Sequence, residues 1–210
     1  MKYSGMPMGM WMLFNRSFKD SLVTVLGYSK EEADKISRLA ASKYKQIIAR
    51  LPEFEKKDRF KMNIVNCAML CAFLLNMENK PDVQKLSEYY EKAMMIPAMK
   101  WFCQMAGKSK FSNKDIRGMK ETAELKAADR NPYSWNMELL PYEDGSGYEA
   151  RFSKCGICTL MKEYDLYDMV PAMCHLDYSM SEAGGASEFV REYTLASGGP
   201  YCDCGYRKKK

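Results

Sequence analysis

The spacing of apolar residues changes once along this chain, and that change constrains its fold more than any other feature. Before residue 131, apolar side chains recur three and four positions apart, which is typical of helices that bury one face. After Asn131-Pro132, short segments alternate between apolar and polar residues, which is typical of half-buried strands. Because 210 residues is the size of one domain, we expect both parts to share one compact unit.

Local signals place the ends of the predicted helices. Ser29 and Glu32 match a capping box, in which each side chain accepts a hydrogen bond from a backbone N–H at the start of a helix. Pro52 ends that helix, and Pro97 interrupts the third one. The second helix is apolar on most sides near its end, so we expect it at the centre of the protein. The helices are predicted over about residues 29–51, 58–76, 82–105 and 112–127.

The second part of the chain is predicted to contain two β-hairpins separated by helices. Strict alternation puts Tyr148, Ala150 and Phe152 on one face of a strand. Strands are predicted over about residues 135–143, 148–154, 187–195 and 201–206, with helices over 157–164 and 167–181. The predicted class is α+β: a helical N-terminal part, then a ββ-αα-ββ unit forming an antiparallel sheet with helices packed on one face.

The same patterns divide the chain along its length. The divisions are a partly flexible N-terminal segment (residues 1–28), a helical part (29–130), an α+β part that carries the candidate site (131–206) and a basic tail (207–210).

The net charge of +5 comes mostly from the last four residues, all basic, which leave +1 on the rest of the chain. A near-neutral body lacks the basic face that normally supplies affinity for nucleic acid, so we expect no nucleic-acid partner. The longest apolar run, from Ala68 to Leu75, is far shorter than the ~20 residues that a membrane helix needs. We therefore expect no membrane association.

The beginning of the sequence does not resemble an export signal. Gly5, Pro7 and Gly9 interrupt the apolar stretch near the N-terminus, and no convincing cleavage site follows it. We therefore expect a cytoplasmic protein whose eight cysteines are reduced thiols. The first dozen residues are rich in methionine and could pack against another copy of the chain, so a homo-oligomer is left open.

The cysteines fall into two groups. Cys67, Cys71 and Cys103 lie on apolar helical faces and are expected to pack in the core. The other five lie in the last 56 residues, close to aspartate and arginine side chains. These five are Cys155, Cys158, Cys174, Cys202 and Cys204.

A catalytic site is one interpretation of this second group. Cys155 ends a strand and precedes a helix, whose dipole would lower its pKa. Cys174 and Asp177 are three residues apart on one helical face, and Cys202 and Asp203 begin the last strand. If these elements converge, a thiolate could attack an electron-poor carbon while a carboxylate orients water or moves a proton. Nearby cations, Arg151 and Arg191, could lower the pKa of a thiol or hold a substrate carboxylate.

Two other interpretations of the same residues stay open. A zinc site could use Cys155-x-x-Cys158 with Cys202-x-Cys204, or with Cys174-His175, although the 43-residue gap between the first two pairs fits known ribbons poorly. The single histidine excludes zinc sites built on two or three imidazoles. Alternatively, the cysteines and the strand aspartate serve packing alone.

The spaced set of motifs in the last third resembles the L-2-amino-thiazoline-4-carboxylic acid hydrolase family. The shared pattern is a cysteine ending a strand, a C-x-x-D helix, an F-x-R-x-x-T-L-x-x-G strand, and a C-D pair followed by an aromatic residue. Here these elements are Arg151 to Cys155, Cys174 to Asp177, Phe189 to Gly198, Cys202-Asp203 and Tyr206. The resemblance covers about residues 132–206. The chain departs from the pattern at Cys204, at the added thiol of Cys158, and at Glu192-Tyr193.

The resemblance implies an activity and a set of site residues. The implied reaction is hydrolysis of a carbon–nitrogen bond in a small cyclic amidine, a thiazoline bearing an amine and a carboxylate, which gives a carbamoyl-cysteine on a route to cysteine. The catalytic residues implied are Cys155, Cys174, Asp177, Cys202 and Asp203. Arg191, Thr194 and Tyr206 are implied to bind the substrate. No cofactor is expected, and the alternative is a non-enzymatic sensor of a small ligand or of zinc.

Overall fold

The computed structural model describes residues 1–55 and 58–209. Its helices are α1 (Met6–Thr24), α2 (Lys30–Arg50), α3 (Lys61–Leu74), α4 (Val83–Met94), α5 (Pro97–Ser109), α6 (Asn113–Ala127), α7 (Gly156–Glu163) and α8 (Val170–Gly184). Its strands are β1 (Glu138–Pro141), β2 (Gly147–Phe152), β3 (Ser187–Val190) and β4 (Cys202–Lys208). Short 3-10 turns cover Tyr167–Met169 and Leu195–Ser197.

The helix boundaries follow the local signals in the sequence. Ser29 and Glu32 form both hydrogen bonds of the predicted capping box at the start of α2. Asp82 and Ser112 cap α4 and α6 with a single hydrogen bond each, which the side chain accepts from the backbone N–H three residues along. The predicted break in the third helix is confirmed, because α4 ends at Met94 and α5 begins at Pro97.

Helix α3 is the centre of the larger hydrophobic core. Every residue from Ile64 to Leu74 is buried, and α3 packs against α1, α2 and α7. A helix that is apolar on all sides needs protein around its whole circumference. The prediction of a central second helix is confirmed.

Residues 6–24, which the sequence patterns leave as part of a partly flexible segment, form a packed helix. Its Phe14, Phe18 and Leu22 are fully buried against the core. Pro7 does not prevent this, because the first turn of a helix has no partner for its backbone N–H groups.

The four strands form an antiparallel sheet in the order β1-β2-β4-β3. One face of the sheet carries Tyr148, Ala150, Phe189 and Cys204, all buried. Residues of α6 pack against this face, and α8 packs against β3. The structure is therefore α+β, with helices against one face of an antiparallel sheet, as the sequence predicts.

Two strand boundaries differ from the prediction. The strand predicted to reach residue 195 ends at Val190, because the next backbone N–H groups turn toward the side chain of Asp203. Strand β4 continues to Lys208, so two residues of the predicted basic tail belong to the sheet. Lys210, also in that tail, lies outside the described residues.

Among the helices that the structure describes, none is long and apolar enough to cross a membrane.

Candidate active site

Four of the five C-terminal cysteines surround the start of α7, and we call them the thiol cluster. They are Cys155, Cys158, Cys174 and Cys202. Phe152, the last residue of β2, pairs with Cys202, the first residue of β4, and this brings Cys202 beside the chain that leads into α7. Cys174 reaches the cluster from α8: burial is the main cause of its raised pKa, and charge on Cys155 and Cys202 adds to the effect. All four cysteine residues are partly exposed.

Cys155 occupies the capping position immediately before α7, with an extended backbone. The pKa of its thiol is lowered, first by a hydrogen bond from the Cys158 side chain and then, against the effect of burial, by the backbone N–H groups of Cys158 and Ile157 and by the side chain of Trp135. Unpaired N–H groups at a helix N-terminus stabilise negative charge there. The fold therefore provides a place for a thiolate at this position.

The other cysteines of the cluster behave in the opposite way. The pKa of Cys158 is raised, chiefly because its thiol donates to Cys155. Burial raises the pKa of Cys174 and of Cys202. In a cluster of similar side chains, Cys155 is thus the thiol that ionises most readily, with neutral thiols around it.

Tyr167 and the 3-10 turn at 195–197 form another side of the cluster. The Tyr167 hydroxyl donates to the carbonyl of Leu195 at 2.9 Å, and the backbone N–H of Leu195 donates to Cys202 Sγ at 3.2 Å. Thr194 caps the turn, since its Oγ1 accepts a hydrogen bond from the backbone N–H of Ser197 at 3.1 Å. The Thr194 hydroxyl also donates to the side-chain oxygen of Ser197 at 3.0 Å. The predicted substrate-binding side chain of Thr194 thus holds the turn that contacts Cys202.

Arg191 makes contacts within the protein at the position where the sequence suggested a substrate clamp. Its side chain is only 6% exposed and forms an ion pair with Asp177, which is 41% exposed. It also donates to the carbonyl of Cys174 at 2.9 Å and to Cys204 Sγ at 3.2 Å. The guanidinium lies 4.6 Å from the centre of the Phe189 ring. Both terminal nitrogens of Arg191 are therefore already engaged.

Asp203 lies on the other face of the sheet from Cys202. Successive residues of a strand point to opposite faces, so Asp203 shares its face with its register partner Arg151. Its two carboxylate oxygens accept from the backbone N–H groups of Glu192 at 2.8 Å and Tyr193 at 2.6 Å. The structure does not bring Asp203 into the thiol cluster; its carboxylate instead fixes the chain that follows β3.

Tyr206 and Cys204 face the same side of β4 as Cys202 but lie further along the strand. At ~3.3 Å per residue, Tyr206 is about 13 Å from Cys202. Its ring lies 3.3 Å from the Lys110 ammonium. Burial raises the pKa of Cys204, which contacts Arg191, to about 12. Tyr206 and Cys204 therefore stand outside the thiol cluster.

The zinc alternative requires several thiolate or imidazole ligands around one point. Within residues 1–55 and 58–209, no group of three or more His, Cys, Asp and Glu side chains is arranged to hold a metal ion. Cys204 accepts a hydrogen bond from Arg191, and the exposed His175 lies beside the Tyr178 ring.

Two aromatic residues that border the thiol cluster are not marked by any sequence motif. Trp135 precedes β1, and a hydrogen bond from its side chain helps to lower the pKa of Cys155. Tyr167 lies in the short turn before α8. An aromatic residue between predicted elements carries little information by itself, because most such residues simply pack.

A comparison with protein families finds a match over residues 62–206 to the family described as L-2-amino-thiazoline-4-carboxylic acid hydrolase. The matched region includes every residue of the thiol cluster. No curated protein and no solved structure matches the chain. Since the family match spans more than half of the sequence and agrees with the motifs in its last third, the chain belongs to the L-2-amino-thiazoline-4-carboxylic acid hydrolase family.

Proposed function

We propose that the protein hydrolyses a carbon–nitrogen bond in a small cyclic amidine, such as L-2-amino-thiazoline-4-carboxylate, with Cys155 as the nucleophile. The observation that carries the proposal is the position of Cys155: a partly exposed residue at the N-terminus of α7, with the pKa of its thiol lowered by the groups around it. The family name supports the substrate class. An amidine carbon is electrophilic, which suits attack by a thiolate.

The reaction balances with water as the only second reactant. The Cys155 thiolate adds to the amidine carbon, and the ring nitrogen takes up a proton. The bond between that carbon and the ring nitrogen then breaks, opening the ring and leaving the carbon bonded to Cys155 Sγ. Water adds to this carbon, the bond to Sγ breaks, and the product is released as a carbamoyl compound with Cys155 again a thiolate. Every group required belongs to the chain, the substrate or water.

Cys158 is suited to move the proton. Its thiol, with a raised pKa, is neutral near pH 7 and hydrogen-bonds Cys155. It can therefore protonate the ring nitrogen as it leaves and be reprotonated from water. Such general acid assistance typically contributes about 10²–10⁴-fold to rate.

Arg191 and Asp177 act as positioning residues in this scheme. Arg191 joins the Cys174 carbonyl on α8 to Asp177 and to Cys204 on β4. This holds α8, and with it Cys174, against the sheet. Asp203 acts less directly, because its carboxylate holds the backbone of Glu192 and Tyr193.

The test compares Cys155→Ser and Cys158→Ser with His175→Gln, a control on the exposed side of α8. With L-2-amino-thiazoline-4-carboxylate as substrate, we expect Cys155→Ser to lower kcat by at least about 10³-fold, because the hydroxyl is a far weaker nucleophile without a base. We expect Cys158→Ser to lower kcat by about 10²-fold or more, and His175→Gln to behave as the unaltered protein. Mass spectrometry of the quenched reaction should show an adduct on Cys155.

Three outcomes would contradict the proposal. They are ring opening by Cys155→Ser at more than a tenth of the normal rate, no ring opening by the unaltered protein, and stoichiometric zinc whose chelation unfolds the protein. The last would instead support the metal-binding alternative.

A further inference from the structure

A small cavity lies between α5, α8 and the inner face of the sheet. Its volume is about 170 Å³. The polar side chains that line it are Lys110, Asp177, Ser181, Ser187 and Tyr206. We propose that this cavity binds a zwitterion of amino-acid size, with the carboxylate of the ligand on Lys110 and its cationic nitrogen on Asp177.

Charged and polar groups in this cavity have unused hydrogen-bonding capacity. Within residues 1–55 and 58–209, neither the Lys110 ammonium nor the Tyr206 hydroxyl forms a hydrogen bond to another side chain or to the backbone. Asp177 accepts from Arg191 through one carboxylate oxygen, and its other oxygen has no partner in the same residues. The ammonium of Lys110, the hydroxyl of Tyr206 and the second carboxylate oxygen of Asp177 thus line one cavity with hydrogen-bonding capacity to spare, which is the donor and acceptor set that a zwitterion needs.

The aromatic side chains hold the Lys110 ammonium in place. The nitrogen lies 3.3 Å from the centre of the Tyr206 ring and 5.1 Å from that of Tyr148. Aromatic faces attract a cation but accept no conventional hydrogen bond. The ammonium is therefore positioned while its N–H groups remain available for an anion.

The walls of the cavity are rigid. Gly107 of α5 and Gly184 of α8 are in direct backbone contact, so a Cβ on Gly107 would lie 2.0 Å from the Gly184 carbonyl oxygen. This contact fixes the spacing of the two helices beside the cavity. Ser181 and Ser187 bond to each other across 2.8 Å, so they form wall rather than free donors.

The volume selects a small ligand. At about 170 Å³ it is smaller than the ~300–1,000 Å³ of pockets that take drug-sized ligands. An α-amino acid such as alanine is a small ligand of this kind, and it separates opposite charges by one carbon atom.

None of the four thiols lines the cavity. Arg191 links Asp177, at the cavity, to the carbonyl of Cys174. Tyr206 is also about 13 Å along β4 from Cys202. The proposal therefore does not rest on the reaction assigned to Cys155.

Calorimetric titration of the full chain with L-alanine at pH 7 tests the proposal, with acetate and methylammonium as probes that carry one charge each. We expect L-alanine to bind and the single-charge probes to bind at least tenfold more weakly. Lys110→Met and Asp177→Asn should each weaken L-alanine binding at least tenfold. Lys108→Met, in the last turn of α5 and outside the cavity, is the matched control and should bind normally.

A variant that fills the cavity distinguishes loss of binding from loss of folding. Asp177→Asn leaves the buried Arg191 without its ion pair and could unfold the protein for that reason. Ala106→Leu adds bulk at the edge of the cavity without removing a polar contact, and it should also abolish binding. The proposal is overturned if the unaltered protein gives no binding, or if Lys110→Met and Ala106→Leu bind as the unaltered protein does.

A second arm identifies the source of the ligand, since the proposed thiazoline substrate also carries a carboxylate and an amidine. If Lys110→Met and Ala106→Leu lose L-alanine binding while KM and kcat for ring opening stay unchanged, the ligand is a separate amino acid. If KM rises in parallel with the loss, the cavity receives the substrate. Because the first measurement is binding, a failure of the proposed reaction leaves its result intact.

Discussion

Identical side chains acquire different chemistry from their positions in the thiol cluster. Cys155 lies at a helix N-terminus and receives hydrogen bonds from the groups around it, so its pKa falls. Cys174 and Cys202 receive fewer such hydrogen bonds, and the partial burial of their thiols raises their pKa values. Local position, rather than residue type, therefore separates a candidate nucleophile from its neighbours.

This difference predicts the order of chemical modification. A short exposure to iodoacetamide near pH 7 should alkylate Cys155 before the other thiols, because only the thiolate reacts. Cys158→Ala removes the donor that lowers the Cys155 pKa most, so the pH at which Cys155 reacts at half its maximal rate should rise. Peptide mapping by mass spectrometry gives both results. Earlier labelling of Cys174 or Cys202 would contradict the assignment.

At the scale of the element, the start of α7 is fixed by the close approach of two backbones. A Cβ on Gly156 would lie 1.9 Å from the carbonyl oxygen of Tyr133. Only glycine allows this contact, which brings the first turn of α7 beside the segment that carries Trp135. The position of Cys155 therefore depends on its neighbour having no side chain.

Gly156→Ala should therefore move the first turn of α7. We expect the free energy of unfolding to fall by about 1–3 kcal/mol through overpacking, and ring opening to fall at least tenfold because Cys155 Sγ is displaced. Gly9→Ala is the matched control: a Cβ there meets nothing within 4 Å. Alanine in that helix should instead stabilise the protein by up to about 1 kcal/mol. Urea unfolding and steady-state kinetics measure both variants, and equal behaviour of the two would refute the argument.

Elements with local signals are predictable from the sequence, and the arrangement of the strands is not. The Ser29 cap, the break at Pro97 and the end of α8 before Gly185 each depend on a few adjacent residues. By contrast, the order β1-β2-β4-β3 depends on pairing between segments some fifty residues apart.

Some contacts of the candidate site are likewise predictable from the sequence, and others are not. Spacing indicated that Cys155, Cys174 and Cys202 could meet, since each ends or begins an element or faces along a helix. The partner of Arg191 could not be read from the sequence, because its contact with Asp177 forms only when β3 packs on α8. The separation of Asp203 from Cys202 follows from strand alternation, which the motif resemblance did not take into account.

At the scale of the whole molecule, one buried charge cluster joins the helical part to the sheet part. Lys126 of α6 donates to Asp58, to Asp129 at 2.6 Å and to Ser134 at 2.8 Å. Its side chain is only 8% exposed. Asp58 precedes α3, while Ser134 leads into the sheet, so this cluster connects both cores.

The cluster predicts a loss of stability in acid. Burial acts to raise the pKa of Asp129, but hydrogen bonds from Lys126, Ser134 and Asn131 lower it to about 2. A folded-state pKa below the ordinary value of 3.8 stabilises the protein above about pH 4, and that contribution is lost as the pH falls toward 2. Urea unfolding at several pH values should show this loss, and Asp129→Asn should reduce it.

Lys126→Met provides the complementary change at neutral pH. It leaves Asp58 and Asp129 without their cation, so we expect a cost of about 3–5 kcal/mol in unfolding free energy. Asp20→Asn is the control, because its ion pair with Arg16 is exposed and should contribute at most about 1 kcal/mol. Costs of similar size for the two variants would contradict a role for the buried cluster.

Strand β4 alternates between two chemistries, with thiols on the helix side and the Asp203 carboxylate on the other. A slip of β4 by one position would exchange them, turning an aspartate toward Cys155 and the cysteines toward solvent. The chemistry of both faces therefore fixes the phase of β4, and a change of chain length is tolerated more readily in the segment that joins β3 to β4 than within the strand itself.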